Sequence, residues 1–510
     1  MLFNSYQFLF IFLPIALLIY YFVNLKKPKY SYLAIFIFSV IFYGIWDLKF
    51  LILIFISILI NYRFGTLLKE NKNKIYLLIG IIFQLFILGY FKYKNFFLEN
   101  YNLLTASNFQ VENIILPLGI SFFTFKHILY LIECYNSHYK TTYTLLNYAT
   151  YITFFPHLIA GPLSKPKEII PQLIKNSPIT FHNLNIGLSI FFIGLFKKII
   201  LADTFAGYSE DPFNAVENGY DISLFESWIA MICFSFQIYF DFSGYTDMAV
   251  GLAKIFNISF PVNFYSPYKS HSIIEFWRKW HMTLSRFLKE CIYIPLGGNR
   301  KGKILSYFFI LFTMLLGGFW HGASWNFILW GFFHAVLIIF NHLIIYINNN
   351  KPSKNYIIRF IKLISTFIFV CFGWVIFKLD SLSSIQIFFQ GLFGFNGVIL
   401  NPNLERIFLS TSIIDLINIE FRNIYYYGTS QLIFVGIGFF IIFFLPNTIQ
   451  IMSHYNTFLP NSLSSKIKYK KKQLFLFKFN KKWSILLAFI AVCAITGLSN
   501  ETKEFIYYQF

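Results

Sequence analysis

"YQFLFIFLPIALLIYYFV", Tyr6–Val23, runs for eighteen residues without a charged side chain. A helix that is apolar on every face has no place in water, and about twenty such residues match the hydrocarbon core of a bilayer. The pattern returns in "LAIFIFSVIFYGIW", Leu33–Trp46, and recurs along the chain. With 57% hydrophobic, 22% aromatic and only 13% charged residues in 510, a soluble fold would expose too much apolar surface. The fold class is therefore an all-α polytopic membrane protein, with about twelve spans and re-entrant pieces. No hydrophilic stretch is long enough for a separate soluble domain, so residues 1–510 are expected to form a single membrane domain. Tyr6–Val23 has no basic region before it and no small-residue cleavage site after it; it reads as a retained span rather than a signal peptide.

The formal net charge is +20. In a soluble protein this would suggest nucleic acid, but the lysines and arginines cluster in short segments between spans, which points to orientation and to anionic membrane lipid instead. Four basic segments are assigned to the cytoplasm: "KKPK" (Lys26–Lys29), "RFGTLLKENKNK" (Arg63–Lys74), "RKGK" (Arg300–Lys303) and "KIKYKKKQLFLFKFNKK" (Lys466–Lys482). An even number of spans must separate any two of them. Tyr30–Tyr62 reads as a two-span hairpin, and Ile304–Trp320 with Trp325–Ile347 as a second, ahead of "KPSK" (Lys351–Lys354). One more run, Trp483–Leu498, follows Lys482, so the C-terminal tail at 500–510 is expected on the extracytoplasmic side. The same count puts the loop at about 381–430, with Glu405, Arg406, Asp415, Glu420 and Arg422, outside as a docking surface. Cys134, Cys233, Cys291, Cys371 and Cys493 are scattered, without disulfide or metal-ligand spacing.

The tip of the second hairpin reads "GGFWHGASW", Gly317–Trp325. An ionisable residue at membrane depth is costly, and it faces a cavity or a partner. His321, bracketed by Trp320 and Trp325 among small residues, is thus a functional candidate: an imidazole takes a proton from a hydroxyl near neutral pH, as acyl transfer to an alcohol requires. Packing glue between two helices is the other reading. His281 lies in "SIIEFWRKWHMTLSRFLKE", Ser272–Glu290, where Ile274, Trp277, Leu284 and Leu288 form a helical stripe opposite Arg278, Lys279, Arg286 and Lys289. The stripe predicts an amphipathic helix in the membrane interface, with His281 on its apolar face as an anchor. "YIPLGGNRKGK", Tyr293–Lys303, joins a Gly-Gly turn to a basic cluster; it is either an ordinary turn with orienting charges or a cradle for the phosphates of a cytosolic donor.

Asp241 and Asp247 interrupt the apolar run "FQIYFDFSGYTDMAVGLAKIF", Phe236–Phe256, with Gln237, Tyr239, Ser243, Tyr245 and Thr246 beside them. Such carboxylates carry protons or ions, or belong to a satisfied structural network. "FFPHLIAGPLSKP", Phe154–Pro166, looks like an interrupted or re-entrant helix, which a membrane tolerates only where protein or water satisfies the backbone. There is no phosphate-binding Gly-Lys-Ser/Thr loop, serine nucleophile elbow or paired-histidine metalloprotease helix.

The order "FFPHLIAGP" (Phe154–Pro162), "QIYFDFSGYTDMAVGLAKIF" (Gln237–Phe256), "PYKSHSIIEFWRKWHMTLSRFLKECIYIPLGGNR" (Pro267–Arg300) and "GGFWHGASWNFILWGFFHA" (Gly317–Ala335) resembles the membrane-bound O-acyltransferases (MBOAT). Within them it is similar to the bacterial branch of alginate and peptidoglycan O-acetyltransferase membrane components. The resemblance covers Tyr6 to Phe510 and is densest over residues 154–334. It implies a ring of roughly a dozen helices around a central funnel, with interfacial and re-entrant helices. It also implies a catalytic role for His321, and a supporting one for His281 in the tryptophan-histidine motif. The closing "FIYYQF", Phe505–Phe510, resembles a Phe-x-Tyr-x-x-Phe motif of this branch, in which the tyrosine, here Tyr507, is proposed to carry the acyl group transiently. An aromatic belt anchoring the last span is the plainer reading of Phe505 and Phe510.

The resulting expectation is acyl export across a bacterial inner membrane. Acetyl-CoA, by resemblance, is the cytosolic co-substrate, held near Arg278, Asn299, Arg300 and Lys303, and no metal is implied. His321 is the general base, and the acetyl group passes outward, with Tyr507 as relay, to an envelope polysaccharide such as peptidoglycan or an alginate-like polymer. A separate periplasmic acyltransferase is the expected partner. Two other readings stand beside this one: a non-enzymatic transporter or flippase relaying protons through Asp241, Asp247 and the histidines, and a cytoplasm-facing lipid acyltransferase with a long-chain donor.

Overall fold

The structure, a computed structural model, describes residues 1–136, 143–175, 180–347, 355–400, 402, 419–422, 425, 428–455, 457–459, 475–499 and 503–506. Among these, seven helices are long and apolar enough to cross a bilayer: Phe8–Lys26, Leu48–Asn71, Lys74–Thr105, Phe181–Glu217, Lys303–His321, Trp325–Ile347 and Tyr356–Lys378. Leu382–Leu392 and Thr429–Phe444 are shorter apolar helices. Sheet structure among the described residues is a parallel pair of three-residue strands, Val398–Leu400 with Ile419–Phe421. The chain is an all-α, multi-pass membrane protein.

Helix starts fall where a short polar side chain can take an orphan backbone N–H. Asp47 accepts from Lys49 N at 2.6 Å, Asn73 from Ile75 N at 2.9 Å and Asn355 from Ile357 N at 2.8 Å. Burial runs opposite to that of a soluble protein. Leu18, Ile52, Phe86 and Phe440 are exposed, while Ser57, Asn61, Gln84 and His127 are buried and bonded to one another's groups. Lipid solvates the apolar surface, and the polar groups must find partners inside.

The second expected hairpin forms as helices Lys303–His321 and Trp325–Ile347, both long enough to cross; of the first, Leu48–Asn71 is long enough, whereas Ser31–Gly44 has only 14 residues. The last apolar run forms Lys481–Thr496, whose 16 residues fall short of the ~20 that fill a bilayer core. Residues 351–354 and 466–474 of the basic segments lie outside the described residues.

Contacts divide the chain into two compact units interleaved in sequence. The first comprises Met1–Lys198, Phe242–Asn263 and Thr448–Phe510; the second comprises Ile199–Asp241 and Phe264–Asn447. Inside the first, Phe154–Pro166 is an interrupted helix, as its sequence predicts: a four-residue helix Phe155–Leu158 is followed by irregular backbone up to Lys165. Protein groups satisfy it. Tyr151 Oη donates to Ser164 O at 2.7 Å, Ala160 N donates to Tyr245 Oη at 3.4 Å, and Lys165 N donates to Glu168 Oε2 at 2.8 Å. The second unit carries the histidine motifs.

Candidate active site

The Lys303–His321 and Trp325–Ile347 helices pack backbone to backbone. A Cβ at Gly318 would lie 2.2 Å from Phe327 O, and one at Gly331 would lie 2.4 Å from Met314 O. Only hydrogen at these two positions permits that approach. The contact brings the end of the first helix, His321, beside Trp330 of the second. His321 is buried, with Trp320 at 4.8 Å between ring centroids, Trp330 at 5.1 Å and Phe377 at 5.2 Å, all edge-on. Asn326 Nδ2 donates to Phe377 O at 3.3 Å and ties the third helix, Tyr356–Lys378, into the same layer.

His281 is not on an interfacial helix. Ser272–Glu290 breaks into two short helices, Ile273–Trp277 and Met282–Leu288, and His281 joins them in the left-handed conformation, φ +40°. Trp280 drives the turn inward, packing on Trp374 at 4.7 Å, Phe264 at 5.0 Å and Phe276 at 5.6 Å. Tyr265 N donates to Lys279 O at 3.0 Å and holds the turn against the preceding loop. His281 is consequently 1% exposed, inside the protein rather than anchored in lipid. A left-handed non-glycine residue costs about 1–2 kcal/mol and persists only where its surroundings impose it. Its imidazole lies 6.3 Å from Trp320 and 6.4 Å from Phe264. Both histidines therefore lie beside one indole, that of Trp320. Burial pushes His281 down to about 3, so it is neutral at physiological pH.

Arg278 is exposed in the same turn. Asn299, Arg300 and Lys303 are exposed in a tight loop in which Gly297, Gly298 and Gly302 take φ of +125°, +56° and +94°. Gly298 N donates to Tyr293 O at 2.9 Å and closes the turn, and Lys303 Nζ sits 3.6 Å over the Tyr346 ring. Lys303 and His321 are the two ends of one 19-residue helix, which puts their backbones about 27 Å apart at 1.5 Å per residue.

A third buried histidine of the second unit, His334, was not singled out from the sequence. It is fully buried on Trp325–Ile347, and Trp330 separates it from His321, lying 4.9 Å from its ring. The signal was present: an imidazole in the middle of an apolar span is the same anomaly that drew attention to His321.

The family model for membrane-bound O-acyltransferases matches residues 35–386, more than half of the chain, including His281, His321 and His334. The chain belongs to the membrane-bound O-acyltransferase family. It is an acyltransferase. Over 432 residues it is 37% identical to the peptidoglycan O-acetyltransferase of Helicobacter pylori, covering 78% of this chain and 81% of that protein. It is 38% identical over 405 residues to the probable alginate O-acetylase AlgI of Pseudomonas syringae, covering 78% and 76%. The teichoic acid D-alanyltransferase of Bacillus subtilis is 29% identical over 281 residues, covering 52% and 70%.

In this acyltransferase the two acids of Phe236–Phe256 are both buried, and Asp247 belongs to a satisfied network in the first unit. Lys197 Nζ and Thr448 Oγ1 each donate to Asp247 Oδ2 at 2.6 Å. The beginning of the C-terminal stub is held in the same unit. Lys198 Nζ donates to Glu504 O at 3.0 Å and lies 4.8 Å from the Phe505 ring centroid, Tyr245 meets Phe505 edge-on at 4.9 Å, and Asn4 Nδ2 donates to Lys503 O at 3.2 Å. Phe505 is therefore packed inside protein rather than set in an interfacial belt. Tyr507, Tyr508 and Phe510 lie outside the described residues, as do Glu405, Arg406 and Asp415 of the 381–430 segment. Glu420 and Arg422 of that segment are exposed and 3.3 Å apart.

Proposed function

We propose that this acyltransferase O-acetylates an exported envelope polysaccharide, with His321 as general base and acetyl-CoA as donor. The observation that carries the reading is the shared indole: His281 and His321 both contact Trp320, inside a buried aromatic enclosure. The names of the relatives support O-acetylation of an envelope polymer.

In this scheme His321 takes the proton of the acceptor hydroxyl as its oxygen attacks the thioester carbonyl. The C–S bond breaks, the leaving thiolate takes the proton back from the imidazolium, and free CoA and an oxygen ester result. His281, neutral and buried, supports the site through Trp320 without adding a competing charge. The donor's phosphates meet Arg278, Asn299, Arg300 and Lys303. The length of the Lys303–His321 helix then calls for a donor whose acyl group rides on a long arm, as a pantetheine does.

The first acceptor is Tyr507, whose phenol becomes a nucleophile when a base withdraws its proton and whose aryl ester is a good onward donor. The stub lies on the extracytoplasmic side of the inner membrane, and a periplasmic acyltransferase docking at 381–430 moves the group to the polymer. Incubation of purified protein with radiolabelled acetyl-CoA tests the scheme. Wild type should release CoA and form a labelled ester, Tyr507→Phe should lose onward transfer, and Tyr508→Phe should behave as wild type. Absence of CoA release from wild type would refute the donor assignment. Normal transfer by Tyr507→Phe would refute the relay alone.

A further inference from the structure

Four buried polar atoms in one cluster of the second unit have no hydrogen-bond partner among the described residues: Nδ1 and Nε2 of His334, Nε1 of Trp277 and Nε1 of Trp330. The three rings touch one another. His334 is 5.1 Å from Trp277 and 4.9 Å from Trp330, and the two indoles are 5.6 Å apart. Phe276, Phe333 and Trp374 close the box around the imidazole. Gly373 forms its near wall: a Cβ there would come within 2.6 Å of His334 Nε2.

Packing alone does not account for a histidine here. An imidazole buried among aromatic rings pays the desolvation of both nitrogens and gains no hydrogen bond in return. Phenylalanine would fill a similar volume without that cost, since replacing unpaired buried polar groups by apolar ones of the same shape is neutral or stabilising. Two indole N–H groups in the same condition make the cluster a set of donors, with the imidazole able to donate at one nitrogen and accept at the other. Native interiors leave few such groups unsatisfied, so four of them in one cluster call for a role of their own.

We infer that His334, Trp277 and Trp330 form a binding site for one small oxygen ligand that accepts from an indole N–H and pairs with the imidazole. That chemistry has two sources, a resident water molecule and the carbonyl oxygen of an acyl group in transit. The second source rests on the acetyl-transfer reading; the first does not. Trp330 links this site to the reaction centre, because its indole also packs on His321 at 5.1 Å.

The test uses full-length protein in detergent: wild type, His334→Phe, His334→Gln, which restores a donor and an acceptor, and Gly373→Ala, which keeps the histidine and blocks Nε2. Thermal unfolding is measured with and without saturating acetyl-CoA, and CoA release is assayed. A resident water predicts that His334→Phe and Gly373→Ala unfold at lower temperature without donor and that His334→Gln recovers the midpoint. A transient acyl oxygen predicts an unchanged or higher donor-free midpoint for His334→Phe, loss of the donor-induced rise, and about a ten-fold higher KM, with recovery in His334→Gln. The site is refuted if His334→Phe matches wild type in both midpoint and KM, or if His334→Gln recovers neither. Should wild type show no response to acetyl-CoA, the donor reading fails by itself and the donor-free comparison decides: an unchanged midpoint then overturns the site.

Discussion

The Trp320 indole meets the His321 imidazole edge-on at 4.8 Å, and its next imidazole neighbour is His281 at 6.3 Å. One side chain therefore sets the positions of both histidines, and neither ring can move far without displacing it. Trp320→Ala should lower acyl-donor turnover about 100-fold, the loss that a displacement of about 1 Å brings to an aligned site. Trp320→Phe should lose less. Turnover in membrane vesicles, normalised to protein in the membrane, measures both.

His281 combines a side chain and a backbone requirement that substitutions can separate. Asparagine tolerates the left-handed region, whereas alanine does not. His281→Asn should fold about 1 kcal/mol more stably than His281→Ala, while both lose activity. The pH dependence follows from burial, which pushes His281 down to about 3. An unfolded histidine titrates near 6.5, so below that value the unfolded chain binds a proton that the folded chain refuses. Its stabilising contribution is whole above pH ~6.5 and is lost as pH falls towards 3. The thermal midpoint of His281→Asn should drop less between pH 7 and pH 4 than that of wild type.

Gly317 and Gly318 are neighbours with unequal roles. A Cβ at Gly318 would sit 2.2 Å from Phe327 O, so Gly318→Ala must part the two helices that set His321 beside Trp330, at about 1–3 kcal/mol and with most of the activity. A Cβ at Gly317 meets only the end of Leu288, at 3.1 Å, so Gly317→Ala should be mild. Equal loss in an unfolding and turnover comparison would show that helix separation is not the cause.

Lys198 holds the stub by a hydrogen bond to Glu504 O and a cation–π contact with Phe505. Lys198→Met keeps the apolar stem and removes both. Acetyl transfer should fall about five- to ten-fold, matching the ~1–1.4 kcal/mol of one buried hydrogen bond and the ring contact. Combined with Phe505→Ala, the losses should not add, because the two residues act as one contact. Transfer rates of the single and double variants check this.

The membrane fold was legible because a bilayer imposes one demand, an uninterrupted apolar length, that composition alone displays. His321 stands out for a related reason, as an ionisable group in such a run, and His334 meets the same criterion. The turn at His281 was not legible. Ile274, Trp277, Leu284 and Leu288 keep helical spacing across it, and a single left-handed residue leaves no trace in periodicity. The burial of Phe505 was hidden differently: an aromatic belt and a docked aromatic look alike until Lys198 and Tyr245, hundreds of residues away in sequence, are seen around the ring.

The central claim is that His321 performs acyl transfer to an envelope polymer. Its most direct measure is the O-acetyl content of that polymer in cells whose only copy of the protein carries His321→Ala, with the variant present in the membrane at the wild-type level. The account predicts O-acetyl content as low as in cells lacking the protein. Wild-type O-acetyl content would contradict it.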